Sequence, residues 1–132
     1  MVAIPKDVSD LMADKAAVKT LLTACKCGQP HGIVCGSIFV SPDGKVGVGE
    51  VLMKRSKQYL AETGKAAMLI TAGPKSYELV LENPVRYDSG PIFDNVKAKL
   101  AEMKLPCFGV WMFDVKEVWD ESAGPNAGNK IA

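Results

Sequence analysis

The sequence predicts a mainly β domain of the α+β class: a closed antiparallel barrel of about six strands with small helices over its ends. Three observations carry this expectation. Short apolar runs rich in β-branched and aromatic residues recur with period-two alternation. Most are joined by short turns of the Ser41-Pro42-Asp43-Gly44 kind. No strand is followed by the regular long helix that a doubly wound parallel sheet needs. The 132 residues suffice for one domain with a real core. We place that domain over residues 1–121 and leave residues 122–132 as a glycine-rich tail, either frayed or held by something outside the core.

Composition narrows the class further. A net charge of +1 supplies no field that would draw nucleic acid or an anionic membrane surface. No apolar run approaches the ~20 residues of a membrane span. The first ten residues, MVAIPKDVSD, lack the apolar centre of a signal peptide. The expected location is cytoplasmic, with the four cysteines as reduced thiols rather than a disulfide framework.

The elements follow in order. Residues 7–16 read as a short helix, with Val8, Leu11 and Met12 spaced for one apolar face. Residues 17–25 change to a period of two and suit a strand buried mostly on both sides. Lys26-Cys27-Gly28-Gln29-Pro30 is a turn of hairpin length. Residues 31–40 form a second strand, with His31, Ile33, Cys35, Ser37 and Phe39 on one face. A Pro-Asp-Gly turn leads to a third strand over 45–50, completing an antiparallel meander. A short helix ends before Gly64, and residues 66–71 are a short buried strand. Residues 76–82 alternate as a half-exposed strand, kinked or edged by Asn83-Pro84 and continued by Val85-Arg86-Tyr87. Pro91 suits the first position of a helix running to about Lys104. Residues 107–119 are the last long strand.

One stretch, KVGVGEVLMKRSKQYLAETG at residues 45–64, organises the functional reading. Val46 and Val48 alternate with Gly47 and Gly49, so one strand face carries no side chain and something flat can approach the backbone. Lys54, Arg55, Ser56 and Lys57 then sit where the strand hands over to the helix of residues 58–63. Unpaired N–H groups at a helix start, with cations beside them, make a site for phosphate. The expected ligand is flat and carries a phosphate.

Gly28-Gln29-Pro30-His31, Ser41-Pro42-Asp43-Gly44, Lys54-Arg55-Ser56-Lys57 and Met68-Leu69-Ile70-Thr71, in this order and spacing, give the chain its likeness. Over residues 8–120 it resembles the FMN-binding split-barrel proteins related to pyridoxamine 5′-phosphate oxidase. The resemblance implies a six-stranded antiparallel split β-barrel of the FMN-binding type. It also implies a homodimer with FMN at the subunit interface, and redox chemistry with a small-molecule electron donor or acceptor. Carried onto this chain, it makes Ser56 and Lys57 the leading phosphate contacts, with Lys54, Arg55 and Gln58 beside them. Val34 and Cys35, within residues 33–37, border the flavin ring or its phosphate, and residues 48–52, Gly49, Glu50, Val51 and Leu52 among them, lie along the ring edge. Cys35 and Gly36 stand where the family often has larger polar or aromatic residues, which leaves fewer donors for the ring. The chain lacks an Arg-rich C-terminal segment to grip pyridoxamine phosphate, so that activity is not assigned.

In this reading the flavin carries the electrons and no side-chain acid or base is essential. One alternative is a non-catalytic FMN-binding electron carrier or flavin store. Another is a small metal-binding β domain, since Cys25, Cys27, His31 and Cys35 form a C-x-C-x₃-H-x₃-C pattern. A C-x-C step is tighter than a zinc knuckle, and buried packing for Cys25 and Cys35 is the plainer account, so no metal is expected. His31, the sole histidine, is expected to be partly exposed and without chemistry. Trp111 and Trp119 are expected in the core or an interface, one of them a candidate to flank the flavin of a partner subunit.

Overall fold

Alternation along the chain becomes eight strands, with three helices between them, in a computed structural model that describes residues 1–132. The order is α1 (Lys6–Ala13), β1 (Val18–Ala24), β2 (Pro30–Val34), β3 (Ile38–Val40), β4 (Val46–Glu50) and α2 (Lys54–Thr63). Then come β5 (Ala66–Ala72), β6 (Lys75–Tyr87), α3 (Pro91–Glu102), β7 (Gly109–Asp120) and β8 (Asn129–Lys130). No helix is long and apolar enough to cross a membrane.

All strand pairs are antiparallel, and the sheet runs β2-β1-β5-β6-β7-β4-β3, with β8 added on β7. β2 and β3 therefore end the path at opposite edges although only residues 35–37 separate them. The sheet must curl into a half-barrel for so short a link to reach. Two backbone bonds stitch the link down: Cys35 N–H donates to Lys19 O and Gly49 N–H donates to Ser37 O, each at 2.8 Å.

The count of six strands is thus corrected to eight. The run 31–40 is not one strand, because it leaves β1 at Val34 and joins β4 only from Ile38. The expected meander exists in two halves, on either side of a split. The eighth strand comes from the tail. Ile131 N–H donates to Val118 O at 2.8 Å and Val118 N–H to Ala132 O at 3.0 Å, and Ala132 packs on the main core. The tail is neither frayed nor held from outside, because it pairs with β7 as the next antiparallel strand.

Alternation decides what is buried. Leu21, Met68, Ile70, Leu79, Phe113 and Val115 come from successive strands and are fully buried in one core, which α1 closes with Val8 and Met12. A smaller core of Val96, Leu100, Val110 and Met112 lies under α3, with Phe39 packed against it. Asn83 takes a left-handed φ of 52° within the register shift between Glu82 and Val85 of the β6–β7 pair, so the expected kink is a bulge. Its side chain donates to Asp114 Oδ2 at 3.0 Å, and Lys45 holds the other carboxylate oxygen at 2.6 Å.

Two expectations change here. The bare face at Gly47 is covered by the chain itself, since a side chain there would fall into the ring of Phe39. The four cysteines are not all free. Cys25 and Cys27 are joined as a disulfide in the β1–β2 turn, their Cα atoms 5.1 Å apart, while Cys35 and Cys107 are free thiols. A turn that folds back on itself brings the two ends of the C-x-C step within bridging reach.

Gly47→Ala should lower stability by about 1–3 kcal/mol, because the Phe39 ring must move. Gly36→Ala, where a Cβ meets nothing within 4 Å, should cost far less. Urea midpoints of the two variants check this, and equal losses would show that Phe39 does not occupy the Gly47 hollow.

Candidate functional site

The site forms where β4 ends and α2 begins. Every residue of β4 is buried, and the chain leaves the barrel through Val51-Leu52-Met53. Met53 precedes α2 without a side-chain cap, and the first helical bond runs from Lys57 N–H to Met53 O at 2.8 Å. Residues 54–57 are therefore the first turn of the helix rather than a loop before it. Their leading N–H groups have no acceptor within the helix. No acidic residue lies in that turn, while Lys54, Arg55 and Lys57 are exposed around it. Cations at a helix N-terminus oppose the macrodipole, at a cost of roughly 0.3–1 kcal/mol each. A bound anion reverses that sign.

Ser56 differs from its neighbours. It lies on the same side of α2 as Leu60, fully buried, and its Oγ has no hydrogen-bond partner within the chain. Gln58 is exposed and donates to Glu62 at 3.1 Å. Arg55 lies over the Tyr59 ring at 5.7 Å. Tyr59 in turn meets His31 edge-on with ring centroids 5.8 Å apart, so the sole histidine sits by the flank of α2 and not at its start.

Glu50 ends β4 and is only 3% exposed. Arg86 on β6 grips it at both oxygens, Nε to Oε1 and Nη2 to Oε2, each at 3.0 Å. Trp111 Nε1 on β7 donates to Oε1 at 2.9 Å. Burial pushes the carboxyl pKa up, but the hydrogen bonds from Arg86 and Trp111, with the charges of Arg86 and Lys57, outweigh it and leave the pKa below the ordinary glutamate value. Lys57 Nζ stands 3.8 Å from Oε2 with its side chain 54% exposed. A pair that open to water adds about 0–1 kcal/mol, so Lys57 stays available to another anion. Glu50, expected along a ring edge, is committed to Arg86 and Trp111. Trp111 is committed with it, in the core.

Arg86 reaches Glu50 by crossing β7 at Gly109. A Cβ there would lie 2.9 Å from Arg86 Nε. Arg86 also donates from Nη2 to Phe108 O at 2.8 Å. The sequence offered no sign of this node beyond one arginine in an extended run.

Beside the helix start opens a groove of about 260 Å³. The structure brings Val34, Cys35, Gly49, Val51 and Leu52 together in its wall, with Met53, Met103 and Leu105. Ser37 Oγ donates to Gly49 O at 2.9 Å, and Ser37 and Leu100 crowd the place of a Gly49 side chain. Burial pushes the Cys35 thiol up to about 11, so it lines the wall without being a nucleophile. A second groove of about 480 Å³ continues between β3 and α3, sharing Gly36, Ser37, Leu100 and Met103 with the first. The lip is apolar and open, with Val34 74% and Leu52 85% exposed. No three His, Cys, Asp or Glu side chains stand close enough to hold a metal.

No family model matches the chain, and no curated protein matches it in sequence. Solved structures match its fold. HupZ of Group A Streptococcus superposes with a TM-score of 0.78 at 19% identity, over 95% of this chain and 99% of that one. An FMN-binding protein from Syntrophomonas wolfei subsp. wolfei gives 0.73 at 17% identity, over 86% and 82% of the two chains. HutZ, the heme storage protein from Vibrio cholerae, gives 0.67 at 10% identity, over 92% and 97%. At these identities the likeness is one of fold, and the curled antiparallel half-barrel is the architecture that the resemblance implied, with eight strands in place of six.

Arg86→Ala should destabilise the fold by about 2–4 kcal/mol, because Glu50 stays buried without its main partner. The loss should be complete only once Glu50 is ionised in both proteins, above the ordinary glutamate pKa of about 4.3, because burial without Arg86 delays ionisation in the variant. It should shrink as pH falls through that value and the lower folded one, since the depressed pKa contributes stability only while Glu50 is ionised. Urea unfolding of both proteins across pH measures this, and a pH-independent difference would remove Glu50 from the account.

Proposed function

We propose that the chain is an FMN-binding member of the pyridoxamine 5′-phosphate oxidase-like split-barrel proteins, acting as a flavin-dependent oxidoreductase. The observation that carries this reading is the start of α2. An uncapped helix terminus has three cations and no acid in its first turn, and it opens on an apolar groove. In this reading the N–H groups of the first turn, Lys57, Lys54 and Arg55 hold the phosphate. The partnerless Ser56 Oγ is one more polar group that a phosphate nearby can satisfy. Since Phe39 covers Gly47 and Glu50 is held by Arg86 and Trp111, the ring in this reading lies against residues 33–37, Gly49 and residues 51–53. Bound flavin supplies the electron transfer, and the protein binds, orients and shields it. The S. wolfei FMN-binding protein, alike in fold, supports the assignment.

The reading includes a homodimer. The groove of about 260 Å³ beside the start of α2 is open along its lip rather than enclosed. Its lip exposes Val34, Leu52, Met103 and Leu105. One chain thus supplies one wall, and a second copy supplies the other and buries the lip.

The fold of HutZ raises a porphyrin as a second occupant. The groove favours flavin. No histidine lines it, its cysteine thiol is pushed up to about 11, and only the thioethers of Met53 and Met103 remain as axial donors.

Added FMN should bind with quenched flavin fluorescence, and riboflavin should bind far more weakly. Lys57→Ala should weaken FMN by about 1.5–3 kcal/mol, roughly tenfold or more in Kd. A chain that takes up no FMN would sink the proposal. Turnover of a reduced nicotinamide with an acceptor separates an oxidoreductase from a flavin store.

Leu52→Glu, at a site exposed in the single chain, should shift the protein from dimer to monomer without unfolding it. Sedimentation and circular dichroism read the two effects, and an unchanged dimer would place the interface elsewhere.

A further inference from the structure

The Cys25–Cys27 pair belongs to neither groove. It lies in the β1–β2 turn beside the last turn of α2, where Lys26 N–H donates to Glu62 Oε2 at 3.3 Å and Thr63 Oγ1 to Ala24 O at 3.2 Å. We propose that Cys25 and Cys27 are a redox-active pair that exchanges with external dithiols through the Cys27 sulfur. The inference is independent of flavin binding.

Three features of the turn support it. The bridge spans a sequence separation of 2, and so short a loop gains little from restricting the unfolded chain. Its surroundings hold their shape without it. Cys25 N–H donates to Gln29 O at 3.1 Å, Gly28 N–H donates to Cys25 O at 2.9 Å, and β1 pairs with β2 directly below. The bridge is thus not needed to close the turn, and opening it leaves the hairpin intact. Third, access is one-sided: Cys25 is 9% exposed, whereas Cys27 is exposed.

That asymmetry fixes the chemistry. A thiolate of an external dithiol attacks the Cys27 sulfur and forms a mixed disulfide with it. The Cys25–Cys27 bond breaks, and its electron pair leaves on Cys25. The Cys27 backbone N–H points at this sulfur from 3.1 Å and stabilises the thiolate. The reagent's second thiol then attacks its own sulfur in the mixed disulfide, closes to a cyclic disulfide and releases Cys27. Two electrons and two protons pass from the dithiol to the pair, and a disulfide oxidant reverses the sequence. The other thiols take no part. Cys35 is buried in the groove wall, and Cys107 donates to Gly109 O at 3.3 Å.

The test uses the full chain, equilibrated without air in mixtures of reduced and oxidised dithiothreitol, then acid-quenched, unfolded and alkylated. Mass spectrometry should find two alkylated cysteines at the oxidising end and four at the reducing end. The added pair should map to residues 25 and 27, and the far-ultraviolet dichroism should not change. Four alkylated cysteines in every mixture would overturn the proposal, as would a bridge that yields to dithiothreitol only after the protein unfolds. The entry point is tested with oxidised glutathione. Cys25→Ser, which keeps Cys27, should form the mixed disulfide at least about tenfold faster than Cys27→Ser, which keeps Cys25. Equal rates would refute attack through Cys27.

Discussion

The carboxylate of Glu50 is the point on which the rest of the site depends. A glutamate this deeply buried is costly unless its charge is matched and its oxygens are bonded. The match comes from strands adjacent in the sheet: Arg86 on β6, Trp111 on β7 and Glu50 itself on β4. Arg86 can span β7 because Gly109, the register partner of Glu50, has no side chain in the way. The end of β4 is thereby fixed to two other strands. Because α2 begins only four residues after Glu50, the same node fixes where the helix points its first turn.

The first turn of α2 is a local conflict held in place by tertiary structure. Lysine and arginine around an uncapped N-terminus are unfavourable in an isolated helix, and nothing acidic in the turn offsets them. Packing of Leu60 and Ser56 against the barrel keeps the helix regardless. A sequence that breaks a local rule at one place, with the surrounding fold absorbing the cost, is the pattern expected of a binding site. The contact between Lys57 and Glu50 fits it: close enough to steer the ammonium toward the helix start, too open to water to hold it there.

Much of the fold was legible because alternation reports burial directly. Leu21, Met68, Leu79 and Phe113 follow from their strands' patterns, and Gly64 ends α2 at the left-handed position where only glycine is easy. The break between β2 and β3 was not legible, because His31 to Phe39 keep one unbroken alternation across it. Only the pairing partners change, and a strand does not announce its partners. The return of the tail was hidden for a related reason, since a two-residue strand has no period to read. At the site, the cations and the groove residues were visible as types and spacing. Arg86, Gly109 and Phe39 were not, because each acts by reaching across neighbouring strands. The Cys25–Cys27 pairing was not legible, because composition and a C-x-C spacing do not report how closely a single turn brings its two ends together.

The split also explains why the groove lies where it does. A barrel closed by a full ladder presents only side chains on its surface. Here the closure between β2 and β3 is made by the chain itself, over residues 35–37, with one backbone bond to each side. Too little side-chain volume is available there to fill the seam. Gly36 adds none, and Ser37 turns back to bond Gly49 O. Leu100 and Met103 of the α3 region cover part of the seam from above, and the two grooves meet at the four residues they share. The apolar recess is therefore a consequence of how the sheet fails to close. The cationic helix start lies at its edge because β4, the strand that leads into α2, is the strand to which the far side of the seam is tied.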